Sequence, residues 1–169
     1  MAFVFDATVG GPAANSYVAV ADADDYFGGR LNASAWTAAS ATTKQQALAT
    51  ATSRLEQLTF VGSRVTTAQR LAWPRYGAES VDGDLYASDA IPRPVFEATC
   101  ELALDLLNAG TTDRLAPTGL EPFSALSVGA VSLSLRDDAP QAGELPPQVQ
   151  RLLAPLLDTA SGATRLVRA

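Results

Sequence analysis

The chain has 169 residues, 47% of them apolar and 18% charged, a globular composition long enough to bury one core without disulfides or metals. It holds no histidine and one cysteine, Cys100, which excludes Ser–His and Cys–His nucleophiles, His-ligated zinc and an internal disulfide. The net charge is -6, and the basic residues (all arginine except Lys44) are scattered, which argues against a tight grip on nucleic acid, since neutralising phosphates supplies most of that affinity.

The start, Met1 to Asp6, has no basic n-region, so no cleaved secretion signal is expected. No stretch approaches the roughly 18 unbroken apolar residues of a membrane helix, so no membrane partner is expected and the chain is expected to be made in a cytoplasm. Residues 1–14, rich in Gly, Pro and Ala, read as a flexible arm. Asn15 to Val20 reads as extended, and Asp22 as the N-cap of a short helix through Phe27 that Gly28-Gly29 stops. Thr42 or Thr43 caps the next helix, with Gln45 and Gln46 placed for a capping box. Leu48, Ala51, Leu55 and Leu58 form its stripe, and Gly62 marks the break.

Residues 59–90 are turn-rich and predict a long ordered loop pinned by Trp73 and Tyr76, with a turn of helix at 67–71. Ile91-Pro92-Arg93-Pro94 opens a third helix that Gly110 ends. Val95, Phe96, Cys100, Leu102, Ala103, Leu106 and Leu107 cover most of its circumference, which predicts a central helix. Glu97, Glu101, Asp105 and Asn108 form its one polar stripe. Leu126 to Leu135 alternates apolar and polar about Gly129 and predicts a β-hairpin. A linker at 137–143 precedes a last helix starting at Leu145-Pro146-Pro147, with Val149, Leu152, Leu153, Leu156 and Leu157 on one side and Pro155 inside to kink it.

The expected fold is mainly α: a small helical bundle over 15–118, then an extension over 119–169 of hairpin, short helix and extended tail acting as an assembly arm. A two-stranded hairpin is marginal alone, and the tail from Thr159 to Ala169 reaches about 36 Å if extended. Leu126, Val128, Val131, Leu133, Leu135, Arg165, Leu166, Val167 and Arg168 are therefore the candidate contacts with a neighbouring subunit or partner. Glu97, Glu101 and Asp105 are either a channel-facing acidic wall or an ordinary solvated helix face.

Other features take plainer readings. Asp22, Asp24 and Asp25 are cap and surface charges, and Asp82-Gly83-Asp84 is a turn lacking the remaining ligands of a calcium loop. Trp36, Trp73 and Tyr76 are either a stacking platform for single-stranded bases or packing plugs, with packing favoured. Cys100 is a passive core thiol. Gly10-Gly11 and Gly28-Gly29 make no phosphate loop. No cofactor, metal site or catalytic constellation is expected.

The chain resembles the head–tail connector (adaptor, head-completion) proteins of tailed phages, in the branch often labelled DnaT-like single-stranded DNA-binding protein. The resemblance covers nearly the whole chain. It rests on Asn15-Ser16-Tyr17-Val18 with Ala23-Asp24, Tyr26-Phe27 and Trp36, then Ala47-Leu48 to Arg54-Leu55, and Gln69-Arg70-Leu71-Ala72-Trp73-Pro74-Arg75. It continues with Ile91-Pro92, Ala98 and Glu101-Leu102-Ala103, then Ser127-Val128-Gly129, Ser132-Leu133 and Leu152-Leu153-Ala154-Pro155-Leu156-Leu157. It implies a structural, non-enzymatic virion subunit at the head–tail interface, in a ring typically of twelve below the portal protein. Such a ring extends the DNA channel, passes double-stranded DNA without reading its sequence, and carries the next neck or tail protein. A subunit that is monomeric until the portal templates it fits an arm that orders only on assembly. The alternative is a single-stranded DNA-binding replication accessory protein.

Overall fold

Two packed helices form the frame of the computed structural model, which describes residues 3–109, 125–128, 131–134 and 145–158. Helix α3 (Ala41–Leu55) starts because Ser40, in extended conformation, accepts the Thr43 N–H at 3.2 Å, while its hydroxyl meets the Thr43 hydroxyl at 2.8 Å. The cap is thus Ser40, earlier than Thr42 or Thr43, since Ser40 is the last residue to keep extended backbone. Ala47, Leu48, Ala51, Thr52 and Leu55 are its buried face.

Helix α4 (Arg93–Asn108) starts at Pro92 with Pro94 in its first turn. It is the expected central helix: Val95 and Ala98 to Leu104 without interruption are buried, more than any one face can hold. It packs against α3, α2 and α5. The protein is mainly helical, as the sequence predicts.

Before α3, α1 (Val20–Gly28) begins two residues ahead of Asp22, and Asp22 lies in its first turn without capping it. Helix α2 (Ser34–Ala38) is one turn that the sequence reading did not foresee, and it carries Trp36 into the core. The 59–90 loop contains a small antiparallel pair, β1 (Ser63–Arg64) with β2 (Arg75–Tyr76), and no helix at 67–71. The Arg75 guanidinium gathers this loop, donating to the carbonyls of Val61 at 2.7 Å, Gly62 at 2.6 Å, Phe60 at 3.2 Å and Ala72 at 3.3 Å. Trp73 is the expected plug, fully buried and edge-on to Phe60. Tyr76 pins nothing; it is 53% exposed, because the strand turns its ring outward where Trp73 has already filled the interior.

Two boundaries drawn from the sequence move. The N-terminal segment is tied down from Val4 onward: Asn15 and Ser16 donate to the Asp6 carbonyl at 2.7 and 3.1 Å, and the Asn15 side chain brackets Asp6 and Val4. Farther along, the Arg70 N–H meets the Gly11 carbonyl and Ala14 is buried. At the other end, α5 (Pro147–Leu153) and the 3₁₀ turn Ala154–Leu156 belong to the core and not to an arm. Val149, Leu153 and Leu156 are fully buried, and the turn is stitched to the 59–61 segment through Val61 N–H to Leu156 carbonyl and Asp158 N–H to Thr59 carbonyl, both 2.9 Å. Pro155 shortens the helix as expected, converting its end to 3₁₀.

Between α4 and α5, β3 (Ala125–Val128) and β4 (Val131–Ser134) pair antiparallel, with Val128 opposite Val131 and Leu126 opposite Leu133, the hairpin expected about Gly129. Leu135, Arg165, Leu166, Val167 and Arg168 lie outside the described residues.

Leu153 separates the two views of α5. Leu153→Ala is expected to destabilise the protein by about 2–5 kcal/mol, the cost of a cavity in a packed core. The measurement is the unfolding free energy from urea titration, which an arm residue would change by no more than about 0.5 kcal/mol.

Candidate functional site

The acidic stripe of α4 does not form a wall. Because α4 is covered on several sides, position 101 faces α1 and α5 instead of solvent, and Glu101 is 2% exposed. Its Oε1 accepts the Tyr26 hydroxyl at 2.6 Å and pairs with the Arg30 guanidinium, while Oε2 accepts from Gln148 Nε2 at 2.8 Å. One carboxylate thus joins α1, α4 and the start of α5. Arg30 also donates to the Tyr26 hydroxyl at 3.0 Å. Burial of the Tyr26 ring pushes its phenol pKa up. Glu97 pairs with Arg93 one turn earlier, at 2.7 Å, and Asp105 is half-buried. The channel-facing assignment therefore fails for Glu101, and the three carboxylates do not form one open face.

The aromatic residues are equally committed. Trp36 donates its Nε1 to Asp24 at 2.8 Å, and Lys44 reaches the same carboxylate oxygen at 2.7 Å while lying 5.2 Å from the Trp36 ring centre. The Lys44 ammonium holds the Asp24 carboxyl below the usual carboxylate range, partial burial opposes it, and the indole N–H assists. Trp36 and Trp73 are both enclosed, so of the three rings considered for base stacking only Tyr76 stays accessible. Cys100 is buried, and that burial pushes its thiol up to about 12.

A half-buried carboxylate organises the C-terminal end of α3. Glu56 accepts the Tyr17 hydroxyl and takes the Ala72 N–H on both oxygens, at 2.9 and 3.0 Å. The Tyr17 N–H meets Thr52 Oγ1 at 3.1 Å, and burial together with the Glu56 charge pushes the Tyr17 phenol far above its usual range. No spacing in the sequence links residues so far apart.

Beside these groups runs an open cleft of about 1240 Å³ along α3 and the end of α4. Phe3, Leu71, Leu106 and Leu107 supply apolar walls, and Arg54 and Arg70 bring positive charge. Among the described residues no cluster of three or more His, Cys, Asp or Glu is placed to hold a metal ion. Among them, too, no helix is long and apolar enough to cross a membrane. Of the expected contact residues, Leu126, Val128, Val131 and Leu133 sit on the paired strands β3 and β4.

These features define a small mainly α protein with an open cleft and a two-stranded hairpin. The whole chain, residues 1–169, matches a family described as "Putative DnaT-like ssDNA binding protein", and the chain belongs to that family. No curated protein and no solved structure matches it.

Two outcomes follow for the buried groups. Removing a partner from a buried ion pair is costly, so Glu101→Ala is expected to lower stability by about 3 kcal/mol in denaturant titration. A raised thiol pKa leaves little thiolate near neutrality, so Cys100 is expected to resist a thiol-specific colorimetric reagent at pH 8 and to react at once in denaturant.

Proposed function

We propose that this chain is a structural subunit of a phage head–tail connector ring of about twelve copies. In this reading it binds below the portal in the neck of the virion, extends the DNA channel, and gives the next neck or tail protein a platform. It carries no catalytic role. The observation that supports it most is the β3–β4 hairpin: four residues a side, pairing only with each other among the described residues. So small a ribbon is marginal alone and gains from a neighbouring surface. An acidic chain of net charge -6 also suits a passage that DNA slides through without being held.

The second reading, binding of single-stranded DNA, is favoured by the family's description. It needs stacking faces and a cationic track. Trp36 and Trp73 are buried, Tyr76 is the exposed ring among the three, and the arginines form no run.

Two measurements on the full chain separate the readings. Cryo-EM of the portal ring with and without this protein is expected to show an added symmetric layer. Fluorescence anisotropy with a labelled single-stranded oligonucleotide at low salt is expected to show no saturable binding. Saturable, salt-sensitive binding without a portal layer would give the second reading the place of the first.

A further inference from the structure

The turn from Glu79 to Tyr86 presents apolar side chains to solvent on a hydrogen-bonded frame. Val81 is 82% exposed and Leu85 67%. The Gly83 N–H donates to the Ser80 carbonyl at 3.0 Å, Ser80 N–H to Asp84 at 2.8 Å and Tyr86 N–H to Ala78 at 2.9 Å. The Ser80 hydroxyl accepts from the Asp82 and Asp84 N–H groups at 3.3 and 3.2 Å, and Gly83 supplies the positive φ of 86° that the turn requires. Side chains on such a frame lose little conformational freedom on docking. The turn is also acidic: Glu79, Asp82 and Asp84 are exposed, the segment contains no cation, and none of the three is in an ion pair among the described residues.

The α3 cleft has the complementary character. Its lining includes an apolar wall of Phe3, Leu71, Leu106 and Leu107 among polar side chains, Arg70 is exposed there, and its own carboxylate, Glu56, is engaged by Tyr17 and Ala72. No residue of 79–86 lines it, so turn and cleft are two distinct surfaces of one subunit, which is what a head-to-tail contact needs. Leu31, another exposed apolar side chain, follows Arg30 and has no carboxylate beside it in the chain.

We propose that the 79–86 turn of one copy docks in the α3 cleft of the next, Val81 and Leu85 against the apolar wall and Asp82 toward Arg70. This rests on the ring reading and names its contact. The two surfaces differ, so the contact can repeat head to tail, and it closes into a ring where the rotation between copies fits.

Disulfide trapping in the full chain tests it, with Val81→Cys and Ser53→Cys together, Ser53 being exposed at the cleft. Cys100 is buried and stays silent. Oxidation, with the protein alone at high concentration and again with the portal, is expected to give a ladder of trimers and larger species in at least one setting. A ladder no stronger than that of a Leu31→Cys, Ser53→Cys control in both settings overturns the contact. Arg70→Glu is expected to cut the ladder about three- to fivefold, the scale of a solvent-edge charge pair, and Asp82→Arg in the same chain to restore it. A yield indifferent to both changes overturns the charge pairing. A portal layer seen without the ladder rejects this contact and leaves the ring standing. A ladder without a portal layer supports the contact and rejects the connector role.

Discussion

Helix α4 carries apolar side chains around most of its circumference, so it is stable in water only when other elements cover several of its faces. Much of the fold answers that requirement. Helix α3 takes one side, α2 another, and α5 a third. Since α4 ends at Asn108 and α5 begins at Pro147, the covering of α4 joins segments that are distant in the chain.

The same constraint explains the polar groups inside. A carboxylate on a helix covered on several sides must either reach solvent past its neighbours or be satisfied by them. Glu97 and Asp105 keep partial access, whereas Glu101 meets Tyr26, Arg30 and Gln148. Glu56 at the C-terminal end of α3 follows the same logic with Tyr17 and Ala72. Both groups join segments distant in the chain, so they bind the bundle together and are poor candidates for an exposed site.

Surfaces left over after this packing are where interaction must be sought. Among the described residues they include the acidic 79–86 turn and the cleft with its two arginines. The family description names single-stranded DNA, whereas the proposed connector role rests on protein contacts; both tryptophans are buried and the net charge is -6. The two views call on different side chains, so experiment can tell them apart.

Local signals in the sequence determined the elements. Proline at 92 and 94 with an apolar run set α4, alternation about Gly129 set the hairpin, and the stripe from Leu48 to Leu55 set most of α3. Composition alone removed histidine chemistry and disulfides. What needed the tertiary structure was which faces meet. The periodicity of α5 is that of any short amphipathic helix, so whether it docks at home or on a partner depends on the gap that α4 and the 59–61 segment leave for it. Likewise Glu101 has the spacing of a solvated stripe, and only the positions of Tyr26, Arg30 and Gln148 make it interior. Periodicity reports that a residue shares a face with its neighbours along one helix, but which other element covers that face is a long-range fact, carried by packing and absent from local spacing.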